Sequence, residues 1–501
     1  MRIVTLLLLL SSLSCSGMNP GRTYYVDALH GDDAAEGTSA AKAWKTLERT
    51  KGLQLGAGDC LLLHRGQTFE GILDVSGKGS AAQPVLIGAY GEGARPVVTG
   101  NQTAWTMRVL NSEYLTVRGL EIVNTGETRL AGRTGLKVEC KDYGVSRNIT
   151  IDSVTVRDVN GSLVKEEGGG SGMLIANGGR QVVSRFDSLR ITNCHILRCE
   201  RNAMIWSGYY DRHHWLPSTN TIVSHNLIEQ VPGDGIVPIG CEHTLIEYNI
   251  MRDGPDILPP SEAAAGIWPW SCDDTLIQFN EVSGHKAPWD AQGYDCDYNC
   301  RNTVIQYNYS HDNYGGMVLV CDAGAERNYS LGNQHSIVRY NISIGDGIRP
   351  KTTRTGGMFS PSIHIAGRVT DTQIHHNIIH SGQKPTKEMD HTMICSDSWD
   401  GFADSTTIRE NIFYSVEPSQ FSMNESTHNL FLHNWYLGDY GQQPLDAEAQ
   451  TQSTYYQKRV VDADPQGYAA LEQLMDANRL YHVDGHAVSK ERIEAFFNAI
   501  F

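Results

Sequence analysis

Short runs of alternating aliphatic and polar residues recur along most of this chain, and each of them closes in nearly the same way. "NITIDSVTV", "DSLRITNCHI", "TNTIVSHNLI", "HTLIEYNIM", "DTLIQFNEV", "NTVIQYNYS", "HSIVRYNIS", "DTQIHHNII" and "STTIRENIF" each begin polar and alternate aliphatics at every second position. Each then places Asn (Ser153 in the first run), usually ahead of another apolar residue. A period of two is the signature of strands, since successive side chains fall on opposite faces. The asparagines are Asn193, Asn226, Asn249, Asn280, Asn308, Asn341, Asn377 and Asn411, and Asn434 in "FLHNWY" extends the series. "YLTVRGLEIVN" is an earlier turn of the same pattern, with Gly119 in the Asn place.

The unit is constant in its strand and variable in its spacing, roughly 23 to 36 residues from one Asn to the next. That combination predicts an all-β, right-handed parallel β-helix whose coils differ in loop length. About eleven coils at about 4.8 Å each give a rod of about 50 Å. Buried asparagines stacked coil on coil would bond the backbone of the next coil, a structural ladder and not a binding site. The open ends of such a rod need covers. "SAAKAWKTLERTKG" (39–52) is predicted to be a helical plug at the N-terminal end. "GYAALEQLMDANRLYH" and "KERIEAFFNAIF" are predicted to form short C-terminal helices that cap the last coil or pack along its side.

The expected organisation is therefore a leader over 1–15, a cap with the first coils over 23–105, the β-helix with its groove over 106–440, and a helical tail over 441–501. The leader "MRIVTLLLLLSSLSC" has one positive residue and a short apolar run, a secretory signal too short to span a membrane. Its Ser-Leu-Ser-Cys ending resembles a lipoprotein cleavage site, with Cys15 as the lipidated residue. Export to the periplasm, outer membrane or cell surface of a Gram-negative bacterium is expected, with a monomer attached to the membrane at most by that lipid. The other cysteines form no CxxC pair and no zinc spacing. They are expected to be buried thiols, with Cys194–Cys199 the pair best placed for a bridge. A net charge of −16 argues against nucleic acid as a partner.

"TYYVDALHGDDAAEGTSAAKAWKTLE", "GAGDCLLLHRGQTFEGIL" and "IGAYGEGARPVVTG" resemble the opening of secreted bacterial β-helix enzymes that act on carbohydrates. "GYDCDYNCRNTVIQYNYSHDNYGGMVLVCD" is similar to the central coils of glycoside hydrolase family 141. The resemblance implies a groove along one face of the coil, with acidic catalysts in it. The segment "HKAPWDAQ", with Trp289 and Asp290, departs from the Gly-rich turn found there in related sequences.

A second strand in most coils opens on Gly: "GIVPIGCE", "GIWPWSCD", "GYDCDYNC" and "GMVLVCDA". Aligned on that Gly, Ile236/Pro238, Ile267/Pro269, Tyr294/Cys296 and Met317/Leu319 face the core. Val237/Ile239, Trp268/Trp270, Asp295/Asp297 and Val318/Val320 then face outward. Asp295 and Asp297 are thus expected about 6.6 Å apart along one strand, with Asp322 diagonal to them on the next coil. Two indoles beside clustered carboxylates suit a sugar: the rings stack on its apolar face, and the acids take hydroxyls or move protons. Asp297 or Asp295 with Asp322 form the candidate acid and base or nucleophile of a glycoside hydrolase acting on plant or host glycans, with Trp268 and Trp270 as the platform. His311 and Asp312 in "SHDN", and Tyr209, Tyr210, His213 and Trp215 in "YYDRHHWLP", are candidate groove walls.

No cofactor is required by that chemistry. A polysaccharide lyase on the same fold is the alternative. It would take Lys351, Arg349 or Arg354 of "GIRPKTTRTGG" as its basic catalyst or uronate clamp, with calcium on Asp295, Asp297 and Asp322. A noncatalytic glycan-binding protein is the third reading.

Overall fold

Alternating short strands can bury their apolar face only against the strands of neighbouring coils, and they do so here. The computed structural model describes residues 21–322, 331–353, 356–450, 455–481 and 488–501. Cys15 and Arg354 lie outside the described residues. The chain is a parallel β-helix of three sheets, right-handed as the sequence predicts. The first sheet runs in unbroken parallel pairing from Thr23–Val26 to Leu430–Leu432. The second begins at Thr68–Glu70 and ends at Trp435–Gln442. The third contains Tyr294–Cys296, Val318–Cys321, Ile363–Ala366 and Thr392–Asp397. Inward aliphatics such as Val223, Ile246, Ile277, Ile305 and Val338 form one continuous core along the axis.

The asparagine ladder occupies the turn between the first and second sheets. Asn308 shows the unit: its backbone N–H donates to Asn341 Oδ1 at 2.9 Å, and its amide nitrogen donates to Ile277 O at 2.9 Å and to Asn341 Oδ1 at 3.1 Å. The same bonds link Asn226 through Asn249, Asn280, Asn308, Asn341, Asn377 and Asn411 to Asn434, where Asp446 takes the final amide. Asn193 is not a rung. It holds the left-handed position one residue earlier (φ 55°), and Cys194 fills the rung, donating its N–H to Asn226 Oδ1. The residue before each rung adopts the same left-handed turn, as do Tyr248, Phe279, Tyr307 and Tyr340. Those rings stack on the outside at 5.1–5.4 Å.

The segment over 39–52 is not a helix. Asp33 Oδ1 accepts the backbone N–H groups of Lys45 and Thr46, which interrupts helical pairing. Two 3-10 turns remain, Ala40–Lys42 and Leu47–Thr50, with Trp44 and Leu47 buried against the first coil. At the other end, helices Ala469–Asn478 and Lys490–Ile500 pack along the side of the rod. Leu471, Met475, Phe496 and Phe497 join Phe279, Tyr309 and Ile342 in a second core. Among the described residues the cysteines are free thiols, Cys194 and Cys199 included. No helix of the described residues is long and apolar enough to cross a membrane.

Candidate functional site

The register of the third sheet decides which side chains share its outer face. Tyr294, Asp295 and Cys296 pair with Val318, Leu319 and Val320, and on the other side Ile267 pairs with Tyr294. Tyr294, Cys296, Val318 and Val320 therefore enter the core, while Asp295 and Leu319 face out. The expectation that Val318 and Val320 face outward is wrong by one residue, and a one-residue slip exchanges the faces of a whole strand. The cause is the Gly315–Gly316 doublet, since Met317, and not Gly316, stands opposite Gly293.

Asp322 moves with that correction. It does not share the outer face with Asp295 and Asp297. Its carboxylate is buried behind the strand, where Oδ1 accepts the Asn299 N–H at 3.2 Å and the Arg368 guanidinium stands 3.9 Å away. The trio proposed for calcium does not converge. Among the described residues, groups close enough to share a cation are Glu242, His243 and Asp274, which lie away from this face.

A cavity of about 340 Å³ opens over Asp295 and Asp297, and Asp234 and Asp290 complete its acidic floor. Trp268, Trp289, Tyr298 and Trp399 wall it, with Lys165 at one side and Leu319 and Cys321 beneath. Four carboxyl groups in one enclosed space cannot all ionise cheaply, and their surroundings separate them.

Asp234 is fully buried, yet Arg201 and Lys165 hold its carboxylate below the usual range against that burial. It receives the Arg201 guanidinium at 2.5 Å, the Trp268 indole N–H at 3.1 Å and the Ala265 N–H at 3.1 Å. It is a support for Trp268. Asp295 is 3% exposed, and one of its oxygens has no partner among the described residues. Burial, then the charges of Asp290, Asp297 and Asp234, push it well above the carboxylate range. Asp297 is pushed up to about 7 by burial, against the hydrogen bonds of the Cys321 thiol and the Tyr298 N–H. Asp290 is raised by burial too, but His364, Arg349 and Lys165 pull it back.

Asp290 is carried on the short strand Trp289–Asp290, paired with Ala263–Ala264, and takes a left-handed φ of 57°. Two features fix that irregular segment. Arg349, 2% exposed, donates to the carbonyls of Ala287 (2.9 Å), Pro288 (2.5 Å) and Asp290 (2.6 Å). Gly315 packs so closely that a Cβ there would meet Asp290 O at 2.3 Å, which only glycine permits. Arg349 thus braces the acid-bearing backbone from behind, and its guanidinium is not presented to the cavity as a uronate clamp.

The remaining expected residues lie around the cavity or apart from it. Trp268 lines it as expected, with the Lys165 ammonium over its ring at 5.4 Å. Trp270 is half-buried outside it and stacks on Tyr210 at 5.0 Å. Tyr209 accepts the Ser184 N–H, and Trp215 donates its indole N–H to Ser271 O beneath the Arg212 guanidinium. Both rings, with exposed His213 on the same loop, flank the rod beside the cavity and do not line it. His311 and Asp312 lie at the second sheet, bonded to each other at 2.8 Å. Asp312 and Glu281 hold the imidazole up at about 9 against its burial. Lys351 pairs with Asp256 at 2.5 Å on the surface.

Asp234, Asp290, Trp289, Lys165, Trp399 and Cys321 were not read from the sequence as site residues. Asp290 and Trp289 had a visible signal, the break in the Gly-rich turn. Trp399 and Lys165 arrive on loops with no repeat pattern.

No protein-family model matches the chain. It is 27% identical over 431 residues to a lacto-N-biosidase of Bifidobacterium longum subsp. longum, which takes in 65% of this chain and 26% of that protein. The chain thus spans about a quarter of the curated relative it matches. The fold is similar to that of the GH136 lacto-N-biosidase from Eubacterium ramulus, with a TM-score of 0.60 at 23% identity over 83% of this chain and 68% of that one. It is also similar to a PL6 family alginate lyase, with a TM-score of 0.50 at 14% identity over 82% of this chain and 53% of that one. These findings do not support the family 141 resemblance; the glycoside hydrolase family named among them is 136.

Proposed function

We propose that this protein is an exported glycoside hydrolase of the lacto-N-biosidase kind, with Asp297 as general acid and Asp290 as the carboxylate that faces it across the scissile bond. One observation carries the reading. Asp297, pushed up to about 7 by burial, and Asp290, whose rise on burial is opposed by His364, Arg349 and Lys165, share an aromatic-walled cavity. Hydrolysis of a glycosidic bond needs one carboxyl that keeps its proton and one that has lost it. Asp290 therefore takes the role expected of Asp322. Burial and its acidic neighbours favour the protonated form of Asp295, and its unpartnered oxygen is available to a sugar hydroxyl. Trp268, Trp289 and Trp399 supply ring faces for the pyranoses. The substrate moves toward host-type glycans, because the similar proteins are named for a lacto-N-bioside and not for a plant polysaccharide.

The test is release of sugar from an oligosaccharide ending in a lacto-N-biosyl unit, followed by mass spectrometry and by NMR of the new anomeric centre. Asp297→Asn and Asp290→Asn should each lower kcat by roughly 10³-fold or more, with KM changed far less. Either variant retaining activity within a few fold of wild type would remove that residue from its role.

A further inference from the structure

Cys321 is an unusual neighbour for a proton donor. It stands opposite Asp297 in the next coil, one step past the pairing of Cys296 with Val320. It lines the cavity floor at 1% exposure. Its Sγ lies 3.1 Å from Asp297 Oδ1, and the Tyr298 backbone N–H donates to that same oxygen at 2.6 Å. Oδ1 is thereby filled by two donors, while Oδ2 makes no hydrogen bond to the described residues. A carboxylic acid keeps its proton on the oxygen that is not already accepting. The pair of donors thus leaves Oδ2 as the atom that can hold and deliver a proton.

We propose that Cys321 is a positioning residue for Asp297: its thiol, with the Tyr298 N–H, turns the carboxyl so that Oδ2 carries the proton into the cavity, and its weakness as a donor keeps that proton in place near neutral pH. The inference rests on the reading of Asp297 as the acid. The identity of the donor matters because hydrogen bonds to a carboxylate favour its ionised form. A thiol is a weak donor. A hydroxyl in its place would make a short charge-assisted bond, roughly twice as strong as a neutral one, and would drain the proton from Asp297 at the pH where it is needed. The thiol itself is no nucleophile here. Burial, and then the charges of Asp297 and Asp295, drive it well above the usual range for cysteine, so the thiolate is not populated.

The experiment compares Cys321→Ser and Cys321→Ala with the wild-type chain in two measurements. The first needs no substrate. The titration midpoint of Asp297 is followed by ¹³C NMR of the side-chain carboxyl in aspartate-labelled protein, assigned by the resonance missing from Asp297→Asn. The second is the basic limb of the kcat/KM profile on the oligosaccharide ending in a lacto-N-biosyl unit. Cys321→Ala should move both upward by about half to one pH unit, and Cys321→Ser should move both downward by a similar amount. Thermal melts establish that both variants fold, and a merely structural thiol would lower stability without moving either midpoint. A midpoint that stays within about 0.2 pH unit in both variants overturns the proposal. If the midpoint moves while the rate limb stays fixed, Asp297 is not the acid, and the proposed function fails on that point while the hold of the thiol on the carboxyl stands.

Discussion

Asp295 and Asp297 differ by two positions on one strand and have different fates, which shows how little of acid–base chemistry is settled by residue type. Asp295 is enclosed and hemmed by three other carboxyl groups, whereas Asp297 is steadied by two donors on one oxygen. The alternation of "GYDCDYN" made the outward placement of both legible, because Tyr294 and Cys296 are the apolar members of the pair. What alternation could not show was the third acid. Asp322 looked equivalent in the repeat, but a doubled glycine shifted it to the buried side, and Asp290 entered from a loop outside the repeat. The chemistry of Asp297 has a readable consequence. A general acid works only while protonated, so kcat/KM should fall tenfold per pH unit above about pH 7, where Asp297 titrates. A rate that is flat from pH 6 to 9 would show that its proton is not used.

At the scale of the element, the Asn strands were legible because they carry two signals at once, the period of two and the recurrent amide. Even there the first rung was misplaced, since Asn193 satisfies the left-handed turn and not the ladder, and asparagine is favoured for both tasks. The ladder carries much of the rod's specificity of stacking. Removing Asn308 strands the two donors of Asn280 and the Ile277 carbonyl in a dry turn, while the Asn341 oxygen keeps the backbone N–H of residue 308. Buried groups left without partners cost about 1–3 kcal/mol each, so Asn308→Ala should lose roughly 3–5 kcal/mol in all. Equilibrium unfolding in denaturant measures this, and a loss below about 1 kcal/mol would mean that water replaces the amide. Arg349 poses the opposite case. Arg349→Met removes the donors that hold the Ala287–Asp290 carbonyls. It should depress kcat more than it raises KM, because Asp290 loses its alignment while the aromatic walls remain.

The rod as a whole separates its tasks by sheet. Asp295 and Asp297 occupy the outer face of the third sheet, Asp290 reaches the cavity from a short strand beside it, and the C-terminal helices cover the second, so the tail stabilises the coil without forming the cavity. His380 is the joint between tail and coil. It is 1% exposed, with one ring nitrogen 2.7 Å from the Tyr456 hydroxyl and the other 2.7 Å from Gly467 O. The carbonyl can only accept, so the nitrogen facing it carries the ring proton and the other accepts from Tyr456. A second proton would force the Tyr456 hydroxyl to turn from donor to acceptor. Burial accordingly lowers His380 to about 4, whereas the unfolded chain takes up that proton near 6.5. The folded pKa lies below the unfolded one, so no penalty exists above pH 6.5, and stability is lost progressively as pH falls from 6.5 toward 4. By pH 4.5 this one imidazole should account for about 2–3 kcal/mol. His380→Gln keeps a donor for Gly467 and an acceptor for Tyr456 but cannot titrate. The difference in unfolding free energy between pH 7.5 and pH 4.5 should therefore shrink in His380→Gln by about that amount. Hydrogen exchange in residues 455–481 should lose its acid sensitivity in the same variant. An unchanged pH dependence would mean that the tail is held by the aromatic contacts of Phe497 with Tyr307 and Tyr340 alone.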